Sequence, residues 1–350
     1  MATIKSVQKG TVSFAGTDTS KTATITSITI ANSVLYFTSS GYTSTQPNYN
    51  CVRGAITNGT TLTFTRGSSA NPNTLQVEFY VVEFTSGVTV QRGSENLDDL
   101  ASANVTITSS SLTTSWSTCS WSMDGFTMRR GHFMVHYLST TTNLALVRGV
   151  TGDPCVVEWQ VITYDNATVQ QVTKSLLTTD TSATSTITSV TTTKTFLEFS
   201  YSSTTTGAFE NRNCWNSYLT NATTITYSRD TALFNSTTRD YVISISDSIA
   251  VQRGEKAVAS GTATTTNALT AIVIANSFAH SLNTPGICKN DDSDGDSWNS
   301  DKNGIKLKFN STTELNFARN TSTSNVTCSW EVVEWTAAAA KPVFIMIWIS

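Results

Sequence analysis

Alternation is the first regularity of this chain. In "TLTFTR", residues 61–66, Leu62 and Phe64 fall on one face of an extended strand and Thr61, Thr63 and Thr65 on the other. The run "VEFYVVEF" (77–84) is apolar on both faces, which predicts a central strand covered on each side. Stretches rich in Gly, Asn and Ser separate such runs, and no segment carries a 3.6-residue period. The pattern predicts antiparallel strands and turns from end to end.

The pattern also repeats. Val7-Gln8-Lys9-Gly10, Val90-Gln91-Arg92-Gly93, Val169-Gln170-Gln171-Val172 and Val251-Gln252-Arg253-Gly254 open four copies, spaced by 83, 79 and 82 residues. Ile25, Ile107, Ile187 and Leu269 follow 18, 17, 18 and 18 residues after the opening valines. An alternating strand then ends in Arg66, Arg148, Arg229 or Arg319, at 59, 58, 60 and 68 residues. A strand of the "FYVVEF" type closes each copy. The fourth copy is longer before its arginine, and the excess falls in the turn-rich "CKNDDSDGDSWNSDKNG" (288–304).

About six short strands in ~80 residues predict a small antiparallel β-sandwich. The chain therefore reads as all-β, with four tandem sandwich modules at 1–86, 87–165, 166–247 and 248–336. The last carries the inserted loop 288–304, and a C-terminal arm follows at 337–350. Linkers of only a few residues predict a compact stack and not beads on a string.

Composition sharpens this picture. Charged residues are only 13% of the chain, while Ser, Thr, Asn and Gln make up roughly two-fifths. A β-branched, hydroxyl-rich solvent face accounts for that better than disorder does. The net charge is −3 and no basic run stands out, which argues against a nucleic-acid footprint. "MATIKSVQKG" enters a strand pattern without an apolar leader, so no secretion signal is expected, and no apolar run is long enough for a transmembrane helix. The closing "KPVFIMIWIS" suits a core strand or an arm that pairs with a neighbour. The six cysteines, 51, 119, 155, 214, 288 and 328, form no CxxC pair, and buried thiols are expected ahead of disulfides.

Candidate chemistry is sparse. Asp292, Asp294 and Asp296, with Asp291 beside them, place carboxylates at alternate positions of one loop, the kind of oxygen set that Ca2+ takes. The loop lacks the glycine and glutamate positions of an EF-hand, and a solvated acidic loop is the competing reading. No other cofactor is expected. Trp298 in the same loop is the candidate ligand-stacking residue. His132 and His136 would lie ~13 Å apart on a strand, too far to share an ion. Glu83 and Glu334 hold one repeat position, where Thr163 and Ser244 stand in the other copies. The signature motifs of hydrolases, zinc proteases and nucleotide-binding enzymes are missing, and no enzyme is expected. The four strand-end arginines suit either an acidic or sugar ligand or, more simply, bonds to loop carbonyls. Eight N-x-[ST] sequons are expected by chance in so Ser- and Thr-rich a chain.

The series "VQRG", "ATIT", "TLTFTR" and "VEFYVVEF", recurring over residues 6–336, resembles the tandem β-modules of structural proteins in tailed bacteriophages. A module that opens on Gln-x-Gly and closes on an aromatic–aliphatic strand is also similar to H-type lectin sandwiches. The first resemblance implies a non-enzymatic virion protein on the particle exterior, a capsid decoration or a neck or tail accessory. It would assemble in the host cytoplasm and contact capsid or tail proteins and further copies of itself. The alternative it leaves open is an adhesin or tail-fibre protein that binds a host glycan. Neither nucleic acid nor membrane is an expected partner.

Overall fold

The computed structural model describes residues 2–41, 51–67, 74–98, 100–123, 133–149, 151, 154–203, 214–232, 234–246, 249–282, 289–290, 304–319 and 325–336. Module 1 forms β1 (Thr3–Phe14), β2 (Ser20–Thr24), β3 (Ser33–Gly41), β4 (Val52–Asn58), β5 (Thr61–Arg66) and β6 (Leu75–Ser86). They make two three-stranded antiparallel sheets, in the orders β1-β6-β3 and β2-β5-β4. The second module repeats this with β7 (Val88–Asn96), β8 (Ser102–Thr106), β9 (Ser115–Met123), β10 (Met134–Thr140), β11 (Asn143–Arg148) and β12 (Cys155–Tyr164). In the third stand β13 (Ala167–Leu176), β14 (Ser182–Thr186), β15 (Thr195–Ser203), β16 (Asn216–Asn221), β17 (Thr224–Ser228) and β18 (Ser236–Ile245). The fourth holds β19 (Ile249–Val258), β20 (Thr264–Ala268), β21 (Ser277–Ser281), the short β22 (Lys289–Asn290), β23 (Lys306–Ser311), β24 (Glu314–Ala318) and β25 (Val326–Trp335). Every module has the same two sheet orders, with β22 added beside β25. The all-β tandem architecture is thus the one the alternation predicts. Among the described residues no helix is long and apolar enough to cross a membrane.

Each landmark of the repeat has a structural cause. The opening glutamine clamps the loop that carries the second landmark. Gln8 donates to the Thr26 carbonyl at 2.9 Å and accepts from the Thr26 N–H at 2.6 Å. Gln91 does the same with Thr108, Gln170 with Thr188 and Gln252 with Thr270. The fixed spacing of about 18 residues is thus the length of chain between a side-chain amide and the backbone it grips. The glycine after it sits under an aromatic ring of the closing strand: Gly10 pairs with Phe79, Gly93 with Trp159 and Gly254 with Trp330. A Cβ at Gly10 or Gly93 would lie 2.7 or 2.6 Å from the ring. In module 3 the aromatic is replaced by Asp240, and the glycine by Val172, its cross-strand partner. The one exception in the repeat is therefore a matched pair of changes.

The closing strand is central in its sheet and covered on both faces, as its double-sided apolar pattern requires. In β6, residues 77–84 are all buried. One face packs on the module's own second sheet. The other faces the rest of the chain, and here the modules meet. Tyr36 of module 1 stacks on Phe278 of module 4 with ring centroids 4.3 Å apart. Trp116 of module 2 meets Phe196 of module 3, and Phe196 meets Phe278. The compact stack expected from short linkers therefore closes on itself: module 4 returns onto module 1. The buried apolar side chains form three clusters, of which one draws residues from all four modules.

Candidate functional site

The residues that the sequence singles out are mostly consumed by the fold. Arg66 donates to the carbonyls of Asp18, Ala15 and Gly16, and Arg148 to those of Leu100 and Asp98. Arg229 reaches Asp180, Phe234 and Leu177, and Arg319 reaches Thr262 and Ala259. All four guanidiniums are buried, so they tie the first turn of a module to its fifth strand. Glu83 and Glu334 lie in different modules and each accepts a loop N–H, from Thr29 and Val273, at 2.7 Å. His136 is buried against the Ser117 hydroxyl at 2.9 Å. Among the described cysteines, Cys51, Cys119, Cys155, Cys214 and Cys328, no disulfide forms. Asp292, Asp294, Asp296 and Trp298 lie outside the described residues, as do His132 and the C-terminal arm.

The concentration of chemistry is elsewhere, where the four modules converge. The third strands of the modules run through this junction, and equivalent residues form successive layers. Val34, Trp116, Phe196 and Phe278 make an apolar layer, sealed by Phe84, Tyr164 and Trp335. The next inward-facing positions are Tyr36, Thr118, Glu198 and His280, which line a cavity of about 80 Å³ together with Gln160 and His136. That volume holds a few waters. The layer beyond is hydroxylic. Thr38, Ser120 and Ser200 accept from the backbone N–H groups of Leu307, Gly54 and His136, each in the preceding module around the ring.

A second set of cross-module bonds comes from one position of the closing strand. Tyr80 donates to the Leu307 carbonyl in module 4, and Gln160 bonds both the N–H and the carbonyl of Leu35 in module 1. Tyr241 accepts from the Leu138 N–H in module 2, and Glu331 from the Leu197 N–H in module 3. Each closing strand reaches back one module, and the first reaches round to the fourth. Modules 2 and 4 add an arginine: Arg92 grips the carbonyls of Ile30 and Ser33, and Arg253 those of Thr192 and Thr195. The alternation of Tyr with Gln or Glu gives the ring an approximate twofold character on top of its fourfold repeat.

The two carboxyls at the junction are held differently. Burial pushes Glu331 up, but Arg253 at 3.0 Å, His280 at 3.3 Å and the Leu197 N–H outweigh it and hold the group below its ordinary value. Glu198 has no such cation in contact. Burial pushes its carboxyl up to about 7, against weaker opposition from His280 and Thr118. One of its oxygens, Oε2, is covered and without a partner, while the residue keeps part of its surface open to the cavity. Burial likewise pulls His136 down to about 4 and keeps it neutral. The Cys119 thiol is pushed well up, first by burial and then by Glu198, so it is a poor nucleophile. Among the described residues no three His, Cys, Asp or Glu side chains converge as a metal site. The chamber can store a proton and fix the modules in register; it offers no nucleophile paired to a base.

Sequence reasoning passed over Glu198, His280, Gln160 and Tyr241. The signal was present in the repeat. Tyr36, Thr118, Glu198 and His280 each stand three residues after Ser33, Ser115, Thr195 and Ser277, and Tyr80, Gln160, Tyr241 and Glu331 share one place in the closing strand. A large polar residue at an otherwise buried position of each copy marks a contact outside its own sandwich. No protein-family model matches the chain, and no curated protein matches it either.

Proposed function

We propose that the chain is a non-enzymatic structural block of a tailed-phage particle. It sits on the exterior as a capsid decoration or a neck or tail accessory and works through protein–protein contacts. The observation that carries this reading is how the chain spends its polar chemistry. Its buried arginines, glutamines, tyrosines and carboxyls bond turns within modules and backbone between modules, closing four sandwiches into one body.

What the ring turns outward is uncharged and hydroxylic. Each second sheet ends in a five-residue edge strand, β2, β8, β14 or β20, with the same alternation of exposed and half-buried residues. Short edges resist uncontrolled pairing, and four similar edges offer a neighbour several weak contacts that add up. Capsid or tail proteins and further copies of the chain are the proposed partners.

The test is localisation. An antibody raised against the chain should label intact particles from the source culture, and the protein should travel with them through a density gradient. Recovery of all the protein in the soluble fraction, with unlabelled particles, would overturn the proposal.

A further inference from the structure

The modules of this chain show, by comparison with one another, what one of its surface grooves is built to hold. In module 1 the carboxylate of Glu83 accepts the Thr29 N–H at 2.7 Å, the Lys5 ammonium at 2.9 Å and the Ser6 hydroxyl at 3.4 Å. In module 4 Glu334 accepts the equivalent N–H, that of Val273, at the same 2.7 Å. The backbone turn preceding the third strand is thus a carboxylate cradle in two copies. Its preference for the anion is visible at Glu83. Burial works to raise that group, yet the Thr29 N–H and Lys5 outweigh it and hold the carboxylate below its ordinary value.

Module 3 keeps the cradle and omits the carboxylate. Ser244 stands at the place of Glu83, and its short side chain turns to the Thr195 hydroxyl at 2.8 Å. The Thr191 N–H, equivalent to those of Thr29 and Val273, has no acceptor among the described residues. A groove of about 520 Å³ opens over it. Thr168, at the place of Ser6, lines this groove with Gln170, Thr188, Thr191, Ser246 and Lys194. Of the described lining residues none is acidic, and Lys194 is the cation, its Nζ 3.5 Å from the Ser246 carbonyl. The volume is within the range of small-ligand sites.

We infer that the module 3 groove binds a uronic-acid residue of a glycan, its carboxylate on the Thr191 N–H where Glu83 and Glu334 place theirs, its hydroxyls on the Ser, Thr and Gln side chains around it. The sugar assignment rests on the lining: hydroxyl and amide groups ring the cradle, and they match a polyhydroxylated ring better than an acidic peptide side chain. This inference does not depend on where the chain sits on a particle.

Titration of the full chain with methyl β-glucuronide, methyl β-glucoside and acetate, followed by saturation-transfer NMR and calorimetry, tests it. Saturable binding of the glucuronide is expected, with the neutral glucoside and acetate each roughly tenfold or more weaker. Ser244→Glu installs the carboxylate that modules 1 and 4 carry and should abolish binding. Thr191→Pro removes the N–H at a backbone φ of −85°, close to the range proline holds, and should abolish it independently. Lys194→Ala should weaken it roughly tenfold. Equal affinity for the neutral glucoside, equal affinity for acetate, or unchanged binding in both the Ser244 and Thr191 variants would each overturn the inference.

Discussion

The sandwich core of module 1 and the junction between modules are built from the same strands by opposite means. The core uses Leu62, Phe64, Val77 and Phe79, all buried, with Phe64 edge-on to Phe37 at 5.4 Å. Such packing is non-directional: any apolar set of the right volume serves. The junction has an apolar layer too, but beyond it lie Glu198, His280, Glu331, Arg253, Gln160 and Tyr241, each with partners at defined atoms. Hydrogen bonds and ion pairs demand a particular neighbour. Apolar burial therefore makes each module a sandwich, while the polar contacts decide which module stands beside which.

The largest expected effect separates these two roles. Arg253→Met leaves Glu331 as a buried carboxylate with His280 as its remaining charged neighbour, and should cost about 3–5 kcal/mol. Glu331→Gln should cost far less, because module 2 already places Gln160 beside Arg92 on the equivalent backbone. Chemical denaturation measures both; equal losses would contradict the account. Phe64→Ala opens a cavity in module 1 and should cost a comparable amount, about 3–5 kcal/mol. Its signature should differ: hydrogen exchange should rise chiefly in β2, β4 and β5, whereas Arg253→Met should raise it in modules 3 and 4 together. Tyr241→Phe removes a hydroxyl that serves the Leu138 N–H and the Ser117 hydroxyl, and should cost about 1–3 kcal/mol.

The smallest effect is a pH dependence. Glu198 and Asp240 each have a carboxyl pushed up to about 7, in both cases first by burial. The folded chain then holds two protons that the unfolded chain releases near pH 4. Their stabilisation is complete at low pH and is lost as pH rises through about 7. His136, pulled down to about 4, acts the other way: its contribution is present above the ordinary histidine value and lost as pH falls through about 4. Between pH 6.5 and 8 the carboxyls alone titrate, so the melting temperature should fall with rising pH there. Glu198→Gln with Asp240→Asn should flatten that slope, and an unchanged slope would show that these groups do not carry it.

The strands, the four copies and the roles of the strand-end arginines were legible because each is a local pattern. Period-two alternation places Leu62 and Phe64 on one face whatever else the chain does. The closing of the ring was not legible, because its contacts join distant residues: Tyr80 and Leu307 are 227 positions apart. Glu198 and His280 look like ordinary strand residues until the copies are overlaid. Then a carboxyl and an imidazole appear where module 1 has Tyr36. The Gly10–Phe79 and Val172–Asp240 pairs were hidden for a similar reason, since the exchange spans two landmarks and neither half is informative alone. The acidic loop at 291–296 drew attention by composition, while the module 3 groove is signalled by a residue that is missing, Ser244 where two copies have glutamate.

Closure of module 4 onto module 1 is the central claim, and a disulfide trap reads it directly. The Thr38 hydroxyl lies 3.0 Å from the Leu307 backbone nitrogen, which brings these two positions within the reach a disulfide requires. The Thr38→Cys, Leu307→Cys double variant, oxidised at low protein concentration, should form a bridge within one chain, seen as a faster-migrating monomer whose mobility reverts on reduction. Failure to bridge, or bridging only between two chains, would mean that the four modules do not close into a ring.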